Sequence, residues 1–264
     1  MQNSIIITKK QNLKYWNKKY TRLYFGIEFC QNLIPTTEDI DYVINFVKKT
    51  NIELSLVTPY VSDEGMNKLE PLLDLLNEKL PGSEVIINDF GTLELMQEKK
   101  LKLKPVLGRL LTKQKRGPRI INIMDKLPKT AIEHFRKSNV EVPIIKEFLI
   151  KNGFDRVELD NLLQGIGDDF SKSPIKASLY YPYSYVTTSR YCLTSILDRE
   201  NIIPGIYTCK RECYKYGVFK LTNKHMPVPL LLKGNTQFFE NKKLPKDLIE
   251  KGINRLVYEP EVPV

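Results

Sequence analysis

Four cysteines, Cys30, Cys192, Cys209 and Cys213, are the residues whose type and placement point most directly to chemistry. Thiolates are soft ligands, and four converging on one point suit zinc or an iron–sulfur cluster. Cys209 and Cys213 stand at positions i and i+4, which predicts two thiols on one face if their segment forms a helical turn. Cys30 and Cys192 each follow an apolar run that reads as a strand, and functional groups of α/β barrels gather at the carboxyl ends of strands. They can therefore meet although most of the chain separates them. No Cys-x-x-Cys pair is present, and the long gap before Cys209 is unlike a zinc ribbon, which leans the set towards iron–sulfur. The plain alternative is buried free cysteine acting as a small apolar residue.

Other groups carry weaker signals. Glu28, Asp89 and Glu158 fall at or near expected strand ends, where they can serve as acids or bases, or cap helices and pair with lysine. Arg109 and Arg190 have the fork to hold a carboxylate or phosphate, with surface ion pairing as the other use. Lys113, Lys115, Arg116 and Arg119 can meet RNA phosphates, though a solvated basic loop explains them as well. His134 and His225 receive no role. There is no glycine-rich phosphate loop, serine nucleophile elbow or His-Glu-x-x-His zinc motif.

The elements that must position these groups follow a strand-then-helix rhythm. Strands are expected over residues 23–29, 53–57, 84–88, 105–111, 156–159 and 175–181. Between them, a helix opens at residues 35–39 and runs through Val43, Phe46 and Val47, and Met66, Leu69, Leu72, Leu73, Leu76 and Leu80 recur at helical spacing. Further helices are expected over residues 92–99 and 144–151. Single helices between strands predict right-handed βαβ units and a parallel sheet. With 264 residues, the expected fold is an incomplete or irregular (β/α) TIM-like barrel, a doubly wound open sheet being the alternative. One domain spans residues 1–264, with a basic insertion at 112–139 and a cysteine-bearing region at 185–240.

Composition sets the outer bounds. At 42% hydrophobic and 27% charged residues the chain can build a core without staples and is not disordered. The formal charge of +10 favours anionic partners or plain solubility. No apolar stretch reaches membrane-spanning length, and the first residues lack a secretory pattern, so a cytoplasmic protein with reduced thiols is expected.

The run Ser189-Arg190-Tyr191-Cys192-Leu193-Thr194, followed by Cys209-Lys210-Arg211-Glu212-Cys213, resembles peptidase family U-32, the collagenase-like group. It is most similar to the UbiV branch, whose members act in oxygen-independent ubiquinone hydroxylation. Gly26-Ile27-Glu28-Phe29-Cys30 matches that branch's early cysteine site. Asn88-Asp89-Phe90-Gly91, Gly153-Phe154-Asp155-Arg156-Val157-Glu158-Leu159 and the closing strand and turn Leu230-Leu231-Leu232-Lys233-Gly234-Asn235 match in order, so the resemblance covers about residues 23–237. It implies a 4Fe-4S cluster on Cys30, Cys192, Cys209 and Cys213, a paralogous U-32 subunit as partner, and hydroxylation of a ubiquinone precursor or, alternatively, of an RNA base. A third reading, outside that implication, is a zinc- or cluster-stabilised interaction protein without catalysis of its own. With every iron held by a cysteine, the cluster transfers electrons or holds the fold. Burial beside Tyr180, Tyr181, Tyr183 and Tyr191 would tune it, although strand-face packing accounts for most of these tyrosines. The spacer before Cys209 is longer than the family's, and the basic insertion has no counterpart in it.

Overall fold

The computed structural model describes residues 1–199 and 205–264. Its strands and helices alternate as β1 (Gln2–Ile7), β2 (Arg22–Gly26), α1 (Thr37–Thr50), β3 (Glu53–Val57), α2 (Asp63–Lys79), β4 (Glu84–Ile87), α3 (Phe90–Glu98) and β5 (Lys104–Leu107). After α4 (Lys129–Arg136) and α5 (Pro143–Lys151) come β6 (Arg156–Asp160), β7 (Lys176–Tyr181) and β8 (Tyr183–Thr188). The chain ends with α6 (Glu212–Tyr216), β9 (Phe219–Leu221), β10 (Leu230–Lys233), β11 (Thr236–Glu240) and β12 (Ile253–Tyr258).

Eight parallel strands close into a barrel in the order β1-β12-β7-β6-β5-β4-β3-β2, so the (β/α) barrel is complete. Two of its staves depart from the expectation. Ile5, Ile6 and Ile7, read as a short apolar patch, belong to β1, and β12 closes the barrel against it. The segment Leu230–Lys233, expected to be the closing strand, lies instead in a separate antiparallel sheet ordered β8-β11-β10-β9. No helix among the described residues is long and apolar enough to cross a membrane.

The period-two alternation of each strand sorts its side chains between two cores. Leu23, Phe25, Leu54, Leu56, Val85, Ile87, Leu107, Val157 and Leu159 belong to an outer core shared with the buried faces of α1, α2, α3 and α5. Ile6, Tyr24, Val57, Ile86, Val106, Tyr180 and Val257 fill the barrel's middle layer. Towards the amino ends the interior becomes polar, with Arg255 and Arg22 both on Glu84, which Ser55 also reaches at 2.7 Å. Those bonds and charges outweigh the burial of Glu84 and hold its carboxyl down at about 2. Gly26 ends β2 at φ +129°, and a Cβ there would stand 2.2 Å from the carbonyl oxygen of Val57. Only glycine allows that approach.

Helix α1 starts where Thr36 and Asp39 form a reciprocal capping box, and it ends at Asn51 in the left-handed conformation. The stretch 112–139 is a structured β5–β6 connection, carrying two 3-10 turns and α4. It is tied back by Ser138 to Asp168 and by Arg136 Nε to the Gln164 carbonyl.

Candidate thiol centre

The carboxyl end of the barrel carries a layer of buried charge. Arg109, two residues past β5, is fully buried and uses its whole fork. Nε and Nη2 donate to Glu28, Nη1 donates to Asp160 at 3.0 Å and to the Tyr183 carbonyl at 3.2 Å, and Nη2 also donates to Glu259 at 2.9 Å. The guanidinium lies 3.9 Å from the centroid of the Tyr180 ring. Arg116 donates to the second oxygen of Asp160 at 2.7 Å and stacks on Tyr185. Three carboxylates face two guanidinium groups. Burial pushes Glu259 up to about 8, with Glu28 and Asp160 adding to the rise against the pull of Arg109.

Strand β8 is laid over this layer. The Tyr183 amide donates to Glu259 at 2.9 Å, the Tyr185 amide to Asp160 at 3.3 Å, and the Tyr185 hydroxyl to the Arg109 carbonyl at 3.2 Å. The barrel mouth, where functional groups of such barrels usually open to solvent, is thus sealed. Glu28 and Arg109 bind each other rather than a ligand. Asp89 caps α3 through Gly91 and also accepts from the Val61 amide at 3.1 Å. Glu158 sits inside the barrel on Tyr24, and Arg116 is buried rather than part of a solvated basic loop. Lys115 donates to the Lys137 carbonyl at 2.9 Å.

Outside the seal, the antiparallel sheet and its connections bring the cysteines together. Cys30 follows β2 and caps the 3-10 turn Gln31–Leu33, its carbonyl accepting from the Leu33 amide at 3.1 Å. Cys192 follows β8 and caps the turn Leu193–Ile196, with Sγ 3.2 Å from the Thr194 hydroxyl. Cys209 Sγ accepts from the Arg211 amide at 3.3 Å. Helix α6 begins only at Glu212, so it carries Cys213 alone, and the expected shared helical turn is replaced by a left-handed bend at Arg211, φ +61°. The β10–β11 turn passes over Cys213, since a Cβ on Gly234 would stand 3.9 Å from its sulfur.

All four thiols are free. They lie within electrostatic reach of one another: Cys30 responds to Cys209, Cys192 and Cys213, and Cys213 to Cys192 and Cys209. Burial first, and the other thiols after it, push Cys30 up to about 12 and Cys213 up to about 11. Among the described residues no three His, Cys, Asp or Glu side chains stand at metal-bonding distance. By chemistry alone the donor set suits a soft metal or an iron–sulfur cluster, being four free thiols with no disulfide among them. Part of the expected 185–240 segment, residues 200–204, lies outside the described residues.

An apolar floor separates thiols from ion pairs. Phe29 packs on Tyr185 at 5.2 Å and on Phe238 at 5.3 Å, in a cluster with Cys213, Val262 and Val264 that Cys30 joins from its edge. Of the tyrosines expected beside the cysteines, Tyr180 is inside the barrel and Tyr181 packs on Tyr258 at 5.5 Å, while Tyr183 borders this floor. Tyr185 and Phe238 escaped the sequence reading. Their only sequence signal is alternation in short strands whose pairing was not foreseen.

No family model matches the chain, and no curated protein matches it. Among solved structures, a U32 peptidase, Mk0906, aligns over 99% of this chain and 93% of its own, at 11% identity and a TM-score of 0.49. The multi-modular cell-surface chitinase ChiW from Paenibacillus sp. str. FPU-7 aligns over 98% of this chain and 40% of its own, at 10% identity and 0.39. A GH18 chitinase from Cycas revoluta aligns over 98% and 94%, at 10% identity and 0.30. None of these likenesses adds to what the barrel itself displays.

Proposed function

We propose that Cys30, Cys192, Cys209 and Cys213 hold a 4Fe-4S cluster, and that the chain is a U-32-type protein supporting an oxygen-independent hydroxylation beside a paralogous subunit. The observation that supports this is the gathering of four free thiols, drawn from three separate stretches of sequence, outside a sealed barrel mouth. The order of cysteines and turns shared with the UbiV branch supports the finer reading of a ubiquinone precursor as substrate.

When bound, such a cluster supplies electron transfer, since four cysteine ligands leave no open iron. The chain's own residues do the rest. The Arg211 amide donates to Cys209 Sγ at 3.3 Å, working against the burial that raises that thiol, and the Thr194 hydroxyl lies 3.2 Å from Cys192 Sγ. Phe29, Tyr185 and Phe238 keep water from the inner side of Cys30 and Cys213. Lys9 and Lys233 place positive charge near Cys213. A serine or zinc peptidase motif is absent from the sequence, so proteolysis forms no part of the proposal. The net charge of +10 favours a second reading, in which the hydroxylated substrate is an RNA base.

Anaerobic purification tests the centre. The expected product is brown, with about four iron and four sulfide per chain, and Cys209→Ser loses both colour and iron while the chain stays folded. Colourless protein carrying zinc, or a full cluster in Cys209→Ser, overturns the proposal. Loss of one modified RNA base in a deletion strain selects the second reading, and unchanged RNA removes it.

A further inference from the structure

We propose that the cavity beside Cys30 is a binding site for a small carboxylate with a planar body, and that Arg190 recognises the anion. The cavity measures about 160 Å³ and is lined by Phe29, Cys30, Gln31, Tyr60, Arg190 and Asn235, with Asn32 and Ile206 at its edge. Drug-sized ligands occupy roughly 300–1,000 Å³, so this space takes a single ring rather than a polymer or a long chain.

Its charge is unbalanced. Among the described residues no Asp or Glu lines the cavity and Arg190 makes no ion pair. One Nη2 bond, to the Val61 carbonyl at 3.2 Å, anchors the guanidinium and leaves most of its five N–H donors unspent. A fork held at one corner suits bidentate capture of a carboxylate, with planar recognition that a lysine would not give.

The walls are fixed in advance. Asn235 Nδ2 is shared among the Phe29 carbonyl at 2.6 Å, the Ser189 carbonyl at 2.7 Å and the Tyr60 hydroxyl at 3.2 Å. That one amide ties the chain leaving β2 to the chain just before Arg190 and holds the Tyr60 ring against the cavity. Gln31 is held in turn by the Ser62 amide and hydroxyl. Fixed walls of this kind lower the ordering cost of binding. The site deepens the proposed function, because it would set a carboxylate-bearing reactant beside one thiol of the centre, but binding itself does not require the cluster.

Calorimetry on the anaerobically purified chain tests it, with benzoate as probe and benzamide and inorganic phosphate as controls. Benzoate is expected to bind saturably in the millimolar range or better, at least about tenfold more tightly than benzamide or phosphate, and at least about tenfold more weakly to Arg190→Gln. Iron-free Cys209→Ser is expected to keep the benzoate site. No saturable binding, equal binding of benzamide, tighter binding of phosphate, or an unchanged affinity in Arg190→Gln overturns the proposal. Binding seen only in iron-free protein also overturns it, by assigning the cavity to the cluster. Iron measured on the same samples separates the two readings: a full cluster without Arg190-dependent binding sinks only the pocket, and the reverse sinks only the cluster.

Discussion

The Arg109 layer and the cysteine lobe share one end of the molecule and are built on opposite terms. Around Arg109 every N–H of the guanidinium has an acceptor, and Glu28, Asp160, Glu259 and Arg109 itself are almost wholly buried. Around the cysteines no disulfide closes the set, three of the four side chains are half-exposed, and Arg190 nearby is unpaired among the described residues. A saturated network specifies one geometry and leaves nothing to bind a ligand. The barrel's mouth is therefore scaffold here, and the free thiols lie outward of it, by the sheet that covers it.

The largest test of this contrast is Arg109→Met. It keeps an apolar side chain of similar length but leaves buried Glu28 and Glu259 without their guanidinium and Asp160 with Arg116 alone, at a cost of about 3–5 kcal/mol. The expected result is a large fall in the urea midpoint, with weakened hydrogen-exchange protection at Tyr183 and Tyr185, whose amides donate to Glu259 and Asp160. A loss below about 1 kcal/mol would show that apolar packing alone seals the mouth.

A smaller effect separates the barrel's interior from both regions. Burial raises Glu158 from 4.5 to about 7, with Arg255 and Arg156 pulling the other way, and its second oxygen has no partner among the described residues. Between pH 4.5 and 7 the folded chain holds a proton that the unfolded chain has released, so stability falls as pH rises through that window. Urea midpoints at pH 5 and pH 7.5 should show this fall in the parent and a flatter profile in Glu158→Gln. An identical slope in both would mean that water reaches Glu158.

What the sequence made legible follows from which forces are local. Outward-facing strand residues such as Val85 and Ile87, and the spaced leucines of α2, report their burial through periodicity alone. The strand β12 was hidden because Ile-Asn-Arg-Leu-Val-Tyr puts Arg255 in the interior, where Glu84, 171 positions away, neutralises it. Leu230–Lys233 is apolar enough for a barrel stave, yet it pairs with Thr236–Glu240 across a tight turn at Gly234, and local hairpin closure decided its sheet. Cys30 lies just past an expected strand, whereas Cys192 follows β8, whose pairing with β11 no local pattern announced, and Cys209 and Cys213 do not share the helical turn their spacing suggested. The roles of Glu28 and Arg109 were not, because two opposite charges 81 positions apart look like two candidates for catalysis until the barrel brings them together.

The smallest effect tests whether scaffold and thiol lobe are energetically separate. Thr36 caps α1 close to Cys30 in sequence, its hydroxyl accepting from the Asp39 amide at 3.2 Å while Asp39 accepts from the Thr36 amide. Removing the hydroxyl in Thr36→Ala should cost about 1 kcal/mol, and Thr36→Ser, which keeps the acceptor, only a few tenths. The cap serves the helix, and α1 buries Ile40, Val43, Ile44 and Val47 against the barrel rather than against the cysteine-bearing sheet. The global unfolding midpoint should therefore drop in Thr36→Ala while iron content stays at the parent level. If iron falls in step with stability, the connection from Cys30 to α1 transmits strain, and the thiol lobe depends on the barrel's helices as well as on its seal.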